Sequence, residues 1–160
     1  MLTEKDCQEL VLERHADYVA QAANNRALAI QTAHLLTLSK YSKEQQTAAL
    51  HLYNTVKRHP GTSGGNTLAK VLLGLYNGPR FPFDLTELRL LDADNFIAAM
   101  TVIHMDSRHT WCEIHVLLDA ILGGAADTGS EFEHWAYNLK LKGRCKADQL
   151  PALPRAAVQQ

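Results

Sequence analysis

Cysteine is scarce in this chain of 160 residues: Cys7, Cys112 and Cys145 are far apart and odd in number, and no CxxC pair exists. That excludes a zinc ribbon, a thioredoxin-type redox site and a disulfide framework, and makes a reducing cytoplasm the expected location. No apolar run approaches the roughly 18–20 residues that cross a bilayer, so no membrane partner is expected. The opening Met1-Leu2-Thr3-Glu4-Lys5-Asp6 lacks the basic-then-apolar order of a secretory signal, and no export is expected from it. HExxH and GxSxG are absent, and Ser63 has no base near it in the sequence, which argues against zinc-protease and serine-hydrolase chemistry. What remains is ordinary globular composition, 46% hydrophobic and 21% charged, at a length of one domain or one domain with a tail. A chain of this size forms a core without disulfides or metal.

Charge is segregated although the formal net is −1. Residues 1–39 carry a net −2, residues 40–70 +4, residues 71–83 +1, residues 84–133 −8 and residues 134–160 +4. An acidic stretch therefore lies between two basic ones. If it persists on the folded surface, such polarity steers charged partners.

Helix signals recur and strand signals are nearly absent, which predicts an all-α fold of about seven helices. The expected organisation is an N-terminal helical segment over residues 1–40, a helical core over 41–146 and a disordered tail over 147–160, where Pro151 and Pro154 stand in an Ala-rich polar context. Thr3 is an expected N-cap, and Val11, His15, Tyr18 and Ala22 recur on one helical face. Asn24-Asn25 is a weak break before a second pattern through Ala27, Ile30, His34 and Leu38. Ser42 and Gln45 form a capping box for a helix that ends at His59-Pro60-Gly61. The Gly-rich run from Gly61 to Thr67 is no phosphate loop, because Lys70 is misplaced and no strand precedes it; Asn66 is the expected cap of the next helix. Further capping boxes are expected at Asp84/Glu87, Thr110/Glu113 and Ser130/Glu133, and Asp92 is expected to cap a helix bearing Phe96, Ile97, Met100 and Ile103 on one apolar stripe. Gly143 is the expected stop of the last helix.

The run from Leu72 to Asp92, LLGLYNGPRFPFDLTELRLLD, followed by Glu113 and His115, resembles a family of small uncharacterised proteins from proteobacterial plasmids and integrative elements. The resemblance covers roughly residues 62–118 and carries no activity. It implies a mobile-element setting.

Three constellations carry candidate chemistry. Arg80, between Pro79 and Phe81, is placed on a stiff connector either to present its guanidinium for recognition or to pair with Asp84 or a helix C-terminus and fix the turn. The basic sets Lys40, Lys43, Lys57, Arg58 and His59, then Lys140, Lys142, Arg144 and Lys146, with Trp135 and Tyr137 nearby, combine phosphate-binding charge with rings for stacking. His109, Cys112 and His115 have ligand-type side chains, and in a helix from Thr110 the last two share a face, as do His115 and Asp119, but a metal needs further ligands from elsewhere. Glu113 and His115, two positions apart, diverge and form no acid–base pair.

The reading adopted from these features is a non-enzymatic, cytoplasmic helical adaptor of a mobile element. It needs no cofactor and binds a host or element-encoded protein through Arg80, Asp92, Asp94 and Asp106. A sharper form has the acidic 84–133 region block a host defence protein by occupying its nucleic-acid-binding surface. The alternatives are a DNA- or RNA-binding accessory factor using residues 40–59 and 140–146, with Lys57, Arg58, Trp135, Lys140, Lys142, Arg144 and Lys146 as contacts, and a metal-dependent enzyme at His109, Cys112 and His115. The heptads within each half of the N-terminal segment are too few to define a coiled coil, so monomer and homodimer both stay open.

Overall fold

The computed structural model describes residues 4–108, 110–141, 144 and 146, with side chains from Leu12 onward. Six α-helices and one 3₁₀ helix account for it, and there is no strand among the described residues. In chain order they are α1 (Glu4–Leu38), α2 (Lys43–Arg58), α3 (Ser63–Asn77), the 3₁₀ helix (Leu85–Leu90), α4 (Ala93–Arg108), α5 (Ile114–Ile121) and α6 (Thr128–Asn138). The expected all-α fold is therefore present. The tail over 147–160 and the stop at Gly143 lie outside the described residues.

Short polar residues set most helix ends. Ser42 and Gln45 form the expected capping box, with Gln45 N–H donating to Ser42 Oγ at 3.2 Å and Ser42 N–H donating to Gln45 Oε1 at 2.9 Å. Asp92 accepts from Asn95 N–H at 2.9 Å, which holds the Asp92 carboxyl below its ordinary range. Four other expectations are corrected. Asn24-Asn25 does not break the chain: α1 runs unbroken for 35 residues. An interior Asn costs less than about 1 kcal/mol, and Ala22, Ala23, Ala27, Leu28 and Ala29 around it are strong helix formers. α3 starts at Ser63 because Thr62 Oγ1, not Asn66, accepts the capping bond from Gly65 N–H. α5 starts only at Ile114, because the Thr110 hydroxyl donates to the Asp106 carbonyl, while Trp111 and Cys112 N–H both donate to the Tyr41 hydroxyl at 3.2 Å. α6 starts at Thr128, capped by Asp127, which accepts from both the N–H (3.1 Å) and the hydroxyl (2.7 Å) of Ser130.

α2, α3 and α4 pack together, α5 and α6 close over them, and α1 rests on α5. Leu52, Leu68, Leu72, Leu73, Val102, Leu117, Leu118, Phe132 and Ala136 are wholly buried in the shared core. Two glycines set tight approaches. Gly124, at φ +74°, leaves the room that the His34 ring of α1 occupies. At Gly65 a Cβ would run into the carbonyl oxygen of His59, a backbone atom that cannot swing aside. Gly65→Ala is therefore expected to force the α2–α3 turn apart and lower the urea midpoint by the equivalent of about 1–3 kcal/mol, despite alanine's better helix propensity.

Candidate functional site

The motif connector between α3 and the 3₁₀ helix carries Arg80, and its guanidinium is turned inward. Nη1 and Nη2 donate to the two carboxylate oxygens of Glu133, each at 2.7 Å, and Nε donates to the Arg144 carbonyl at 2.9 Å, with Nη2 bonded to the same carbonyl. The Glu133 side chain is 0% exposed and that of Arg80 only 21%. Tyr76 hydroxyl at 3.2 Å and Lys146 N–H at 2.9 Å complete the donors to Glu133. Burial pushes the Glu133 carboxyl up, but Arg80, the Lys146 N–H and Tyr76 outweigh it, so the group lies below the ordinary range. Arg80 also stands over the Phe81 ring, 4.6 Å from its centroid. Arg80 does not pair with Asp84, which accepts from Thr86 N–H and hydroxyl, both at 2.8 Å, and its guanidinium does not project outward; it takes the Arg144 carbonyl, in the segment after α6, together with Glu133. Glu133, read from sequence as a capping acid, was the missed partner. The available signal was its place between Phe132 and Ala136 on the helical face that turns inward.

The three acidic contact residues are not brought together. Asp92 and Asp94 are exposed at the start of α4. Asp106 is twelve positions further along from Asp94, about 18 Å down the axis. It is half-buried, and burial, then Glu113, raises its carboxyl. Beside Asp92 and Asp94, however, three of the four residues of the apolar stripe expected on α4 are turned outward, while Ile103 is half-buried against the core. Ala99, Val102 and Met105 enter the core, while Phe96 (42%), Ile97 (63%) and Met100 (41%) face solvent, with Leu90 (56%) adjacent in sequence to that end. On the other flank His51 Nε2 lies 2.9 Å from Asn95 Oδ1, and Asn95 Nδ2 donates to Asp92 at 2.8 Å. His51, Arg58, His59, Asp92 and Asp94 line a polar cleft of about 550 Å³ there.

The basic residues divide. Lys57 Nζ donates to Tyr53 hydroxyl (3.0 Å) and Glu131 (3.3 Å), and shares an apolar groove of about 380 Å³ with Val56, Pro60, Trp135 and Leu139. Trp135 is a half-buried edge of the core, its ring 5.0 Å from Phe132 and 5.8 Å from Tyr53, rather than an open stacking platform. Arg58, Lys140, Arg144 and Lys146 are exposed; the main chains of the last two join the Arg80–Glu133 cluster. Lys142 lies outside the described residues.

His109 also lies outside them. Cys112 and His115 do not share a helical face, because Cys112 precedes α5. The Cys112 thiol meets the Tyr41 hydroxyl at 3.5 Å, and burial raises both groups, the phenol to about 12. The His115 ring sits edge-on to Tyr76 at 5.1 Å. Asp119 Oδ1 accepts from Thr128 N–H (3.0 Å) and hydroxyl (2.8 Å). Among the described residues no group of three or more His, Cys, Asp or Glu side chains is placed to hold a metal ion. No helix among them is long and apolar enough to cross a membrane.

The molecule is thus an all-helical domain whose motif residues lock a buried ion pair and whose α4 presents an acid-flanked apolar face. The chain belongs to a family of unknown function, DUF7673, whose model matches residues 46–136. No curated protein and no solved structure matches it.

Proposed function

We propose that the protein is a non-enzymatic helical adaptor that binds another protein through the outer face of α4. The observation that carries this reading is the contiguous exposure of Phe96, Ile97 and Met100 beside Asp92 and Asp94. Large apolar side chains grouped on a surface mark interaction sites, and charge at the rim selects the partner. The complementary surface is apolar at its centre and basic at its edge, which is the chemistry of a host nucleic-acid-binding protein. Blocking such a protein from within the cytoplasm suits the mobile-element setting that the Leu72–Asp92 motif implies. Arg80 serves this function indirectly, by holding α6 to the motif connector.

Affinity capture under nuclease treatment tests the reading. Ile97→Glu is expected to weaken recovery of the partner more than tenfold, in keeping with loss of a central apolar anchor. Asp92→Asn with Asp94→Asn weakens it less and removes most of its salt dependence, because asparagine preserves the cap on α4 while deleting the charge. Capture that survives Ile97→Glu, or that vanishes with nuclease alone, overturns the reading. In the second case a salt-dependent mobility shift lost on replacing Lys140, Lys142 and Arg144 would assign the protein to nucleic acid.

A further inference from the structure

The longest helix is the least covered. α1 spans about 52 Å at 1.5 Å per residue and meets the domain only near its C-terminal end, where Ala27, Gln31, His34 and Leu38 face Ala120, Gly123 and Gly124 of the α5 end. The opposite side carries His15, Tyr18, Ala22, Asn25, Ala29, Thr32 and Leu36 at alternating three- and four-residue steps, a seam repeating every seven residues. Leu12, Val19 and Leu28 widen it, and Leu35, at its edge, also lines the groove against the α5 end. Tyr18 is 72% exposed and Leu36 62%, so nothing in the chain's described residues covers this face. The unbroken passage through Asn24-Asn25 joins two short patterns into a seam long enough to pair.

We infer that this face is a homodimer interface in which α1 of one copy packs antiparallel against α1 of a second. Charge sets the direction. Within α1, residues 4–17 hold five acids and two bases, whereas residues 18–38 hold Arg26 and no acid. Parallel pairing stacks acidic half on acidic half; antiparallel pairing lays each acidic half beside the other copy's acid-free half. Size sets the register. Placing Tyr18 opposite Ala29 of the second copy also places Ala22 opposite Asn25 and His15 opposite Thr32, large against small along the seam. Because each α1 meets its own domain near its C-terminal end and on the side away from the seam, antiparallel pairing sets the two domains at opposite ends of the pair. Pairing residues 12–36, about 37 Å of helix about 10–12 Å across, buries on the order of 1,500 Å² in total, within the roughly 1,200–2,000 Å² of stable complexes.

Sedimentation and light scattering of the full chain test this. The expected species at tens of micromolar has twice the 17.8 kDa chain mass. Ala29→Glu with Leu36→Glu is expected to weaken self-association by roughly a hundredfold or more, with no change in the thermal unfolding of the domain. Asn24→Glu, on the opposite side of α1, leaves the dimer intact. With Cys7, Cys112 and Cys145 replaced by serine, a chain bearing Tyr18→Cys forms a mixed disulfide with one bearing Ala29→Cys. A monomer at these concentrations overturns the inference, whether the seam is then covered by residues 147–160 or by another protein. So does a dimer indifferent to the glutamates, or one in which Tyr18→Cys chains cross-link to each other.

Discussion

Arg80→Ala is expected to destabilise the fold by about 3–5 kcal/mol, the cost of leaving a buried carboxylate without its counter-charge. Differential scanning calorimetry should register this as a fall in melting temperature on the order of 10 °C. The magnitude follows from geometry: Glu133 is closed to solvent and receives two charged bonds of 2.7 Å from Arg80. Arg80→Lys recovers only part of the loss, since an ammonium cannot bond both carboxylate oxygens and the Arg144 carbonyl from one plane. The double change Arg80→Met with Glu133→Leu is expected to cost less than Arg80→Ala alone, because no charge is then buried unpaired. The pair also sets a pH dependence. With Glu133 lowered in the folded state, its contribution is complete above the ordinary glutamate value of about 4.3 and is lost as pH falls through the lower folded value. Glu133→Gln should flatten that acid limb of the stability curve.

Phe132→Ala is expected to cost about 3–5 kcal/mol through the cavity it leaves, read as a lower urea midpoint with little change in slope. Phe132 is wholly buried, with Trp135 5.0 Å away and Tyr76 edge-on at 5.5 Å. Tyr76 in turn donates to Glu133. The effects of Phe132→Ala and Arg80→Ala therefore will not add, since both loosen the same tyrosine.

Local chemistry was legible in the sequence; pairing across the fold was not. Ser42 with Gln45 and Asp92 with Asn95 close within one helical turn, so spacing alone identifies where those helices begin. The Asp84/Glu87 box failed because a distant residue competed: Glu87 accepts from Lys70 at 2.8 Å instead. Arg80 shows the same limit, its partner lying 53 positions away while Asp84 stood near. On α4 the periodicity holds two stripes, Phe96-Ile97-Met100 and Ala99-Val102-Met105. Hydrophobicity favours the first as the core. The second is buried because Ala99, fully enclosed, admits the close approach of α2 and α3. That inversion is what leaves the candidate interface exposed, and nothing in the local pattern announces it.

The Arg144 carbonyl and the Lys146 amide, both backbone groups, fasten the segment after α6 to the Arg80–Glu133 cluster. Substitution by any residue other than proline at 146 keeps that amide donor, so the Lys146 side chain can change without touching the cluster, whereas Arg144 also donates from Nη1 to the Arg80 carbonyl at 3.3 Å. At residue 146 the fastening group and the displayed charge are thereby separate: a lineage can rewrite that charge without reopening the lock beneath it.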